Sequence, residues 1–537
     1  MPALGWGPDR AADVEAWHAA RLRDCGAKAL SSILPVGPEI RIEAGRSARW
    51  GDTMPQQFLN YIDGQWVACS SKRTFPDINP ANTDETVGLF QASGAEDVRA
   101  AFDAATRAQP SWASLPAPRR GEALFKAAEI LESRLAKLGE EMTREEGKTL
   151  PESKGEVKRA INIFRYFGGE GARQFSYQIP SERENVFCYT LRKPLGVVGL
   201  ITPWNFPSAI PAWKMAPALV AGNTVVIKPA SLAPLSGYRL VEALHEAGIP
   251  AGVINFVTGG GGAVGNAVVD HPALRALSFT GSCEVGNALN AKLAARKVRA
   301  QFEMGGKNPT VVLKDADLSY AADILVNGAF FSTGQKCTAC SRAIIEKDIY
   351  GPLVETLVEK TQKLKVGNGL DPEVAIGPAV DANQLETDLR YIDIAQEEGA
   401  RLLCGGHRLT GGIYDKGYFV EPTLFDGVTP DMQIAKEEVF GPVLALMVAN
   451  DFDDAMRLAN GVRFGLSASI VSNDLKRVHQ FVNRIEAGLI TVNLPTAGVE
   501  YQLPFGGTKE SSFGMREQGP LALDFYTESR TVYLKYA

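Results

Sequence analysis

The sequence predicts an α/β protein built on two doubly wound, open sheets. Between Gly196 and Met304, five short β-branched runs alternate with helical segments, which implies parallel strands with helices on both faces. A second alternating block runs from Pro309 to Asn493 and predicts another α/β unit. No internal repeat or low-complexity tract points to a solenoid instead.

Taken in order, the elements begin after an unusual leader. Residues 1–54 are rich in Arg, Gly and Ala, lack sustained periodicity and carry no apolar core after a basic start, so they are no secretory signal. A disordered or non-native leader is expected there, with the folded protein starting near Met54. From Gly94 the pattern turns helical: Ser93 with Glu96 reads as a capping box, and Val98, Ala101, Phe102 and Ala105 share one face. A longer helix is expected after "PAPRRGE", with Leu124, Ala127, Ala128, Leu131, Leu135 and Leu138 as its stripe. Strands are expected over 196–202, 223–230, 252–259, 276–282 and 297–304, covered by segments such as "PLSGYRLVEALHEAG". The second block opens on "PTVVLKDAD" and ends on "GLITVN".

Composition narrows the function. Fifty-six basic against 62 acidic residues leave a net charge of -6 with no long basic run, so the footprint of a nucleic-acid binder is missing. The apolar run from Val439 to Ala449 is too short to span a bilayer and contains Pro442. The seven cysteines are odd in number and scattered, which points away from a disulfide framework and toward a reducing compartment, the cytoplasm. No residue is assigned to a metal.

Among the motifs, Gly147-Lys148-Thr149 fails as a phosphate loop, because Met142 stands where the first glycine belongs. Gly260-x-Gly262-x-x-Gly265 follows an expected strand and precedes a helix, yet no acidic partner lies about twenty residues on. It reads equally as a dinucleotide loop or a plain Gly-rich turn. A second loop, "FTGSCEVG", offers Ser282 and free backbone N–H groups at a helix start. Two such loops on neighbouring strands favour a cofactor crevice. Three further segments carry chemistry: "ITPWNFP", "EMGGKNP" and "GQKCTACSR". They supply a thiol, Cys337, an amide, Asn205, and a carboxylate, Glu303, the set needed to add a thiolate to an aldehyde, hold the oxyanion and activate water on a thioester. Singly, a lone Cys reads as a small buried apolar residue and a lone Glu as a solvated charge.

These segments, their order and the 34-residue gap from Glu303 to Cys337 resemble the aldehyde dehydrogenase superfamily, as do "KEEVFGP" and "PFGGTKESSFGMREQG". The resemblance covers about Tyr61 to the C-terminus. It implies a nucleotide-binding domain over 55–173 and 195–303, a catalytic domain over 304–504, and an oligomerisation arm of small β structure over 174–194 and 505–537. A homodimer or homotetramer is then expected. It also implies Cys337 as nucleophile, Asn205 with the Cys337 backbone N–H as oxyanion donors, and Glu303 as base. Contacts to NAD or NADP fall on Ile201, Thr202, Trp204, Lys228, Ser231, Gly261, Gly265, Ser282, Glu438 and Phe440. Ser231 stands where many NAD-preferring relatives carry Glu, so NADP is expected to be accepted beside NAD.

Trp213 stands where relatives acting on succinate semialdehyde usually carry an arginine, and Arg159 is expected to line the substrate tunnel as an alternative anchor for an anionic aldehyde. An exposed helix charge is the competing reading of Arg159. Lys214 is expected to support Glu303. The stretch Asn493 to Gly507 resembles that of members acting on 2-oxoglutarate semialdehyde (2,5-dioxopentanoate), which implies a small semialdehyde substrate; succinate-semialdehyde and broad-range aldehyde oxidation are the alternatives. Cys340 reads as a packing residue, or as the partner of Cys337 in a reversible disulfide if both lie on one helical turn. A CoA-acylating relative would not need Glu303, and a cofactor-free Cys-Glu-Lys hydrolase would leave both glycine loops unexplained.

Overall fold

The computed structural model describes residues 55–173 and 176–536; the leader expected over 1–54 falls outside the described residues. Among these, the largest sheet has eight strands, in the order Gln65–Val67, Asn60–Ile62, Ile254–Phe256, Thr224–Lys228, Val197–Ile201, Leu274–Thr280, Arg299–Glu303 and Ser512–Phe513. The five strands expected between 196 and 304 form its parallel centre. Every residue of Val197–Ile201 and Thr224–Lys228 is buried. Burial on both faces is why these runs are mostly apolar and rich in β-branched residues instead of alternating with polar ones.

The order of this sheet positions the site. From Val197–Ile201 the chain steps to Thr224–Lys228 and Ile254–Phe256 on one side, then crosses to Leu274–Thr280 and Arg299–Glu303 on the other. Where strand order reverses, the C-terminal strand ends open a crevice. Ile201, Lys228, Thr280 and Glu303 are the last residues of four of these strands. The helix Ala209–Val220, buried along its whole length, follows the central strand and packs on the helix Leu150–Glu170. A helix buried on every side has no solvent face to offer.

Two local expectations are corrected. The helix Ala95–Ser114 buries Val98, Ala101, Phe102 and Ala105 as expected, but its cap is Gly94, whose N–H donates to Asp97 Oδ2 at 2.9 Å. Ser93 instead accepts from Asn60 Nδ2 at 2.8 Å, so a tertiary contact displaces the local cap. The longer helix is two, Ala117–Ser133 and Leu135–Glu146. Arg134 leaves helical geometry between them (φ -111°, ψ 6°), and its guanidinium donates to both Glu246 carboxylate oxygens at 2.8 and 2.7 Å.

The second sheet has seven strands among the described residues: Arg401–Cys404, Thr423–Asp426, Val443–Ala449, Cys340–Glu346, Asn308–Val312, Ser467–Val471 and Leu489–Val492. All pairings are parallel except that of the edge strand Arg401–Cys404. The apolar run that ends at Ala449 is therefore a buried central strand, and no helix among the described residues is long and apolar enough to cross a membrane. Arg342, fully buried, donates to Lys307 O, Leu458 O and Ala459 O, tying the loop after Glu303 into this sheet. A third, antiparallel sheet joins Thr527–Lys535, Val186–Pro194 and Gln178–Pro180, with Ile179, Phe187, Tyr533 and Leu534 exposed.

Candidate active site

The helix Leu150–Glu170 supplies a row of charged side chains at positions 152, 156 and 159, one face of a helix. Each reaches a different loop. Glu152 Oε1 accepts from Ser332 N at 2.7 Å and Ser332 Oγ at 3.0 Å. Glu156 Oε1 accepts from Ser208 N at 2.8 Å and Ala209 N at 3.0 Å, the start of the helix after "ITPWNFP". Arg159 Nη2 donates to Gln518 Oε1 at 3.1 Å, and its guanidinium lies 5.5 Å from the Trp213 ring centroid.

Ser332, Thr333 and Gly334 all adopt positive φ (53°, 56° and 66°), which turns the chain sharply before Cys337. Cys337 itself sits in a turn, its carbonyl accepting from Asn308 Nδ2 at 2.8 Å. Asn205 Nδ2 donates to Gln335 O at 3.0 Å, which ties the amide loop to the thiol loop. Burial, then Glu438 and Glu303, push the Cys337 thiol up to about 12, against the Thr338 backbone N–H.

Glu303 is buried at the end of its strand, where Ser512 Oγ donates to its Oε2 at 2.6 Å. Burial and the neighbouring Glu517 hold its carboxyl well above the usual range. Gly506, at φ 148°, lies against Glu303 Oε1 and Arg516, leaving no room for a side chain. Lys214 pairs with Glu517 and donates to Ser278 Oγ at 2.7 Å, and its charge lies close enough to Glu303 to favour the ionised carboxylate there. Trp213 Nε1 also donates to Glu517, at 2.7 Å.

Glu438 Oε1 accepts from Gly306 N at 2.8 Å, and its carboxylate lies over Gly305, where a Cβ would collide with it. Burial pushes Glu438 up to about 7. Phe440, at φ 64°, meets the Trp204 ring edge-on at 5.4 Å.

At the crevice of the first sheet, Thr202 N donates to Lys228 O at 3.1 Å, while Thr202 Oγ1 finds no hydrogen-bond partner among the described residues. Lys228 Nζ donates to Pro229 O at 2.8 Å, and burial pushes it down to about 8. Ser231 Oγ donates to Gly259 O at 3.0 Å, linking "KPAS" to the glycine loop. Gly260, Gly261, Gly262 and Gly265 have open space where a Cβ would sit. Ser282 caps the helix Cys283–Arg296, its Oγ accepting from Val285 N. An unpartnered hydroxyl, a buried ammonium and open glycines beside a helix start fit a dinucleotide phosphate and ribose.

Arg159 is half-buried and partnered, which removes the exposed-charge reading, and its Nε has no partner among the described residues. Cys340 opens a strand, so the premise of a shared helical turn with Cys337 fails. Its side chain packs in the core against Gly328 and both cysteines are free. Ser512, Glu517 and Gln518 were within the quoted "PFGGTKESSFGMREQG" but carried no expectation, because nothing in their spacing shows what they face.

The aldehyde dehydrogenase family profile matches residues 66–532. The chain belongs to the aldehyde dehydrogenase family. It is an NAD(P)-dependent oxidoreductase acting on aldehydes. Within the family it is 48% identical over 483 residues, 90% of this chain and 99% of the relative, to alpha-ketoglutaric semialdehyde dehydrogenase of Bacillus subtilis strain 168. To 2,5-dioxopentanoate dehydrogenase of Saccharolobus solfataricus it is 46% identical over 473 residues, 87% and 98% of the two chains. The crystal structure of an NAD-dependent aldehyde dehydrogenase from Sinorhizobium meliloti superposes with a TM-score of 0.87 at 34% identity, covering 90% of this chain and 95% of that one.

Proposed function

We propose that this enzyme oxidises a small anionic semialdehyde, with 2,5-dioxopentanoate as the best-supported substrate, to the carboxylic acid through a thiohemiacetal and thioester on Cys337. The observation that carries the reading is the Asn205–Gln335 hydrogen bond, which joins residues 130 apart in the sequence beside the thiol. Cys337 Sγ gives up its proton to water and adds to the aldehyde carbon as a thiolate, with the carbonyl π pair moving onto the oxygen. The Asn205 amide and the Cys337 backbone N–H hold the oxyanion. Bound NAD or NADP, held by Thr202, Lys228, Ser231, Ser282 and Glu438, supplies the hydride acceptor. Glu303 then takes a proton from the water that attacks the thioester, with Ser512 Oγ donating to its Oε2 and holding the carboxyl in place.

Arg159 supports the substrate class: its guanidinium, anchored by one bond to Gln518, is a planar cation suited to a carboxylate. The names of the two semialdehyde relatives point the same way. Ser231, neutral and beside Lys228, leaves room for a 2′-phosphate, so both cofactors are used. The exposed apolar residues of the third sheet support a homodimer or homotetramer. The test is to follow reduced nicotinamide with 2,5-dioxopentanoate, succinate semialdehyde and an uncharged aldehyde. The highest kcat/KM is expected for 2,5-dioxopentanoate, and equal values for all three would overturn the substrate reading.

A further inference from the structure

Lys148, in the "EEGKTL" segment, has no place in the mechanism above, yet its side chain is only 2% exposed and ends at the active-site wall. Its backbone occupies the short gap between the helix Leu135–Glu146, closed by Gly147 at φ 97°, and the helix Leu150–Glu170. Nζ donates to Glu156 Oε2 at 2.6 Å and to the Asn205 carbonyl at 2.7 Å. Glu146 Oε2 lies 3.7 Å away, and the Phe206 ring centroid 4.3 Å away. Two of the three ammonium donors are taken by protein acceptors, and the group is buried against Glu146 and Phe206. So enclosed a residue acts through what it holds.

What it holds is the amide loop. Glu156 takes Lys148 on one oxygen and the N–H groups of Ser208 and Ala209 on the other. The segment from Asn205 to Ser208 is thereby pinned at both ends, at its first carbonyl by the ammonium and at its last N–H by the carboxylate. With the backbone fixed, the Asn205 side chain is oriented by its single bond to Gln335 O. The second amide N–H is then free to meet an oxyanion at a defined point.

The charge balance favours a firm anchor. Burial pushes Glu146 up to about 8, against the opposing pull of the Lys148 ammonium beside it. Burial alone would lower the lysine pKa, but Glu146, Glu156 and Glu152 more than offset it and the net shift is upward. Water does not replace the lost donor easily at so buried a site. Removing it leaves the Asn205 carbonyl unsatisfied and the loop free to shift.

We propose that Lys148 is a positioning residue for Asn205, fixing the amide loop so that the oxyanion donor stands at the Cys337 turn. The proposal rests on the oxyanion role proposed for Asn205. Asn205→Ala is expected to lower kcat about 10²-fold, the loss typical of one oxyanion donor. Lys148→Met is expected to lower kcat by about 10²-fold as well, as displacements near 1 Å do, with KM for the cofactor unchanged. In the Asn205→Ala background, Lys148→Met should cost less than about threefold, because the group through which it acts is gone. A lysine that merely stabilises the fold would cost the same factor in both backgrounds, and that result overturns the proposal. If Asn205→Ala itself changes kcat by less than about threefold, the oxyanion reading falls first and takes the proposal with it. Should Lys148→Met fail to fold, Glu156→Gln, which keeps the ammonium beside Glu146, goes through the same cycle with the same coupling expected.

Discussion

Replacing Arg159 by methionine separates recognition of the substrate's carboxylate from the chemistry. The thioether keeps the length of the side chain and its packing on Trp213, while the charge and the bond to Gln518 are lost. A charge-assisted hydrogen bond contributes about 1.5–3 kcal/mol net. Two unit charges roughly 4 Å apart near a protein surface attract by about 4 kcal/mol before desolvation. Arg159 is already largely desolvated in the folded protein, and burial lowers its pKa despite the favourable influence of Glu156 and Cys337. Part of the desolvation cost is thus met before substrate arrives, which favours the middle of the range, about 2–3 kcal/mol. That corresponds to a fall of about 30- to 150-fold in kcat/KM. The fall is expected for 2,5-dioxopentanoate and succinate semialdehyde, with an uncharged aldehyde of similar length changing by less than about threefold. Arg159→Lys should recover part of the loss, since a point charge replaces the planar fork. The assay is the initial rate of cofactor reduction with each aldehyde, with thermal melting of every variant as a control. Equal losses for charged and uncharged aldehydes would show that Arg159 shapes the fold or the thiol loop, and would refute a carboxylate anchor.

Three further outcomes are expected. Glu303→Gln should release one rapid equivalent of reduced cofactor and then turn over about 10²- to 10⁴-fold more slowly, as the thioester waits for water; a linear time course at near-normal rate would remove Glu303 from the base role. Ser231→Glu should lower kcat/KM with NADP by at least about 10²-fold while sparing NAD, and the parent enzyme should run with NADP at more than about a hundredth of its NAD rate; failure of the second comparison ends the reading of Ser231. The neutral thiol of Cys337 is favoured below its pKa of about 12, so alkylation by iodoacetamide should rise close to tenfold per pH unit through the alkaline range. Glu438→Gln removes a nearby negative charge, lowers that pKa and should speed alkylation at a fixed alkaline pH; a rate independent of pH would contradict the buried-thiol picture.

Both sheets could be read from the chain because a strand buried on two faces reads as a short, nearly continuous apolar run rich in β-branched residues, as Val197–Ile201 and Thr224–Lys228 do. Cys337, Glu303 and Asn205 could be singled out because each lies in a short segment whose neighbours are turn residues. What remained hidden were pairings between distant charges. Lys148 looked like a failed phosphate loop, since its partners Glu156 and Asn205 are fixed by helix packing and not by spacing along the chain. Lys214 acts on Glu303 as expected, but the carboxylate that holds its ammonium, Glu517, lies some three hundred residues further on and is not signalled by any local spacing. The cap at Gly94 and the break at Arg134 failed for the same reason: Asn60 and Glu246 compete for groups that local rules would have used at home.

The late segment that pairs with the edge of the first sheet brings Ser512 to Glu303, Glu517 to Lys214 and Gln518 to Arg159, the last across 359 positions. During synthesis, a ribosome-bound chain therefore displays its cysteine long before the neighbours of the base have emerged. Domains that complete early would form around an inert thiol, and oxidative competence would arrive in a single late step when that segment docks.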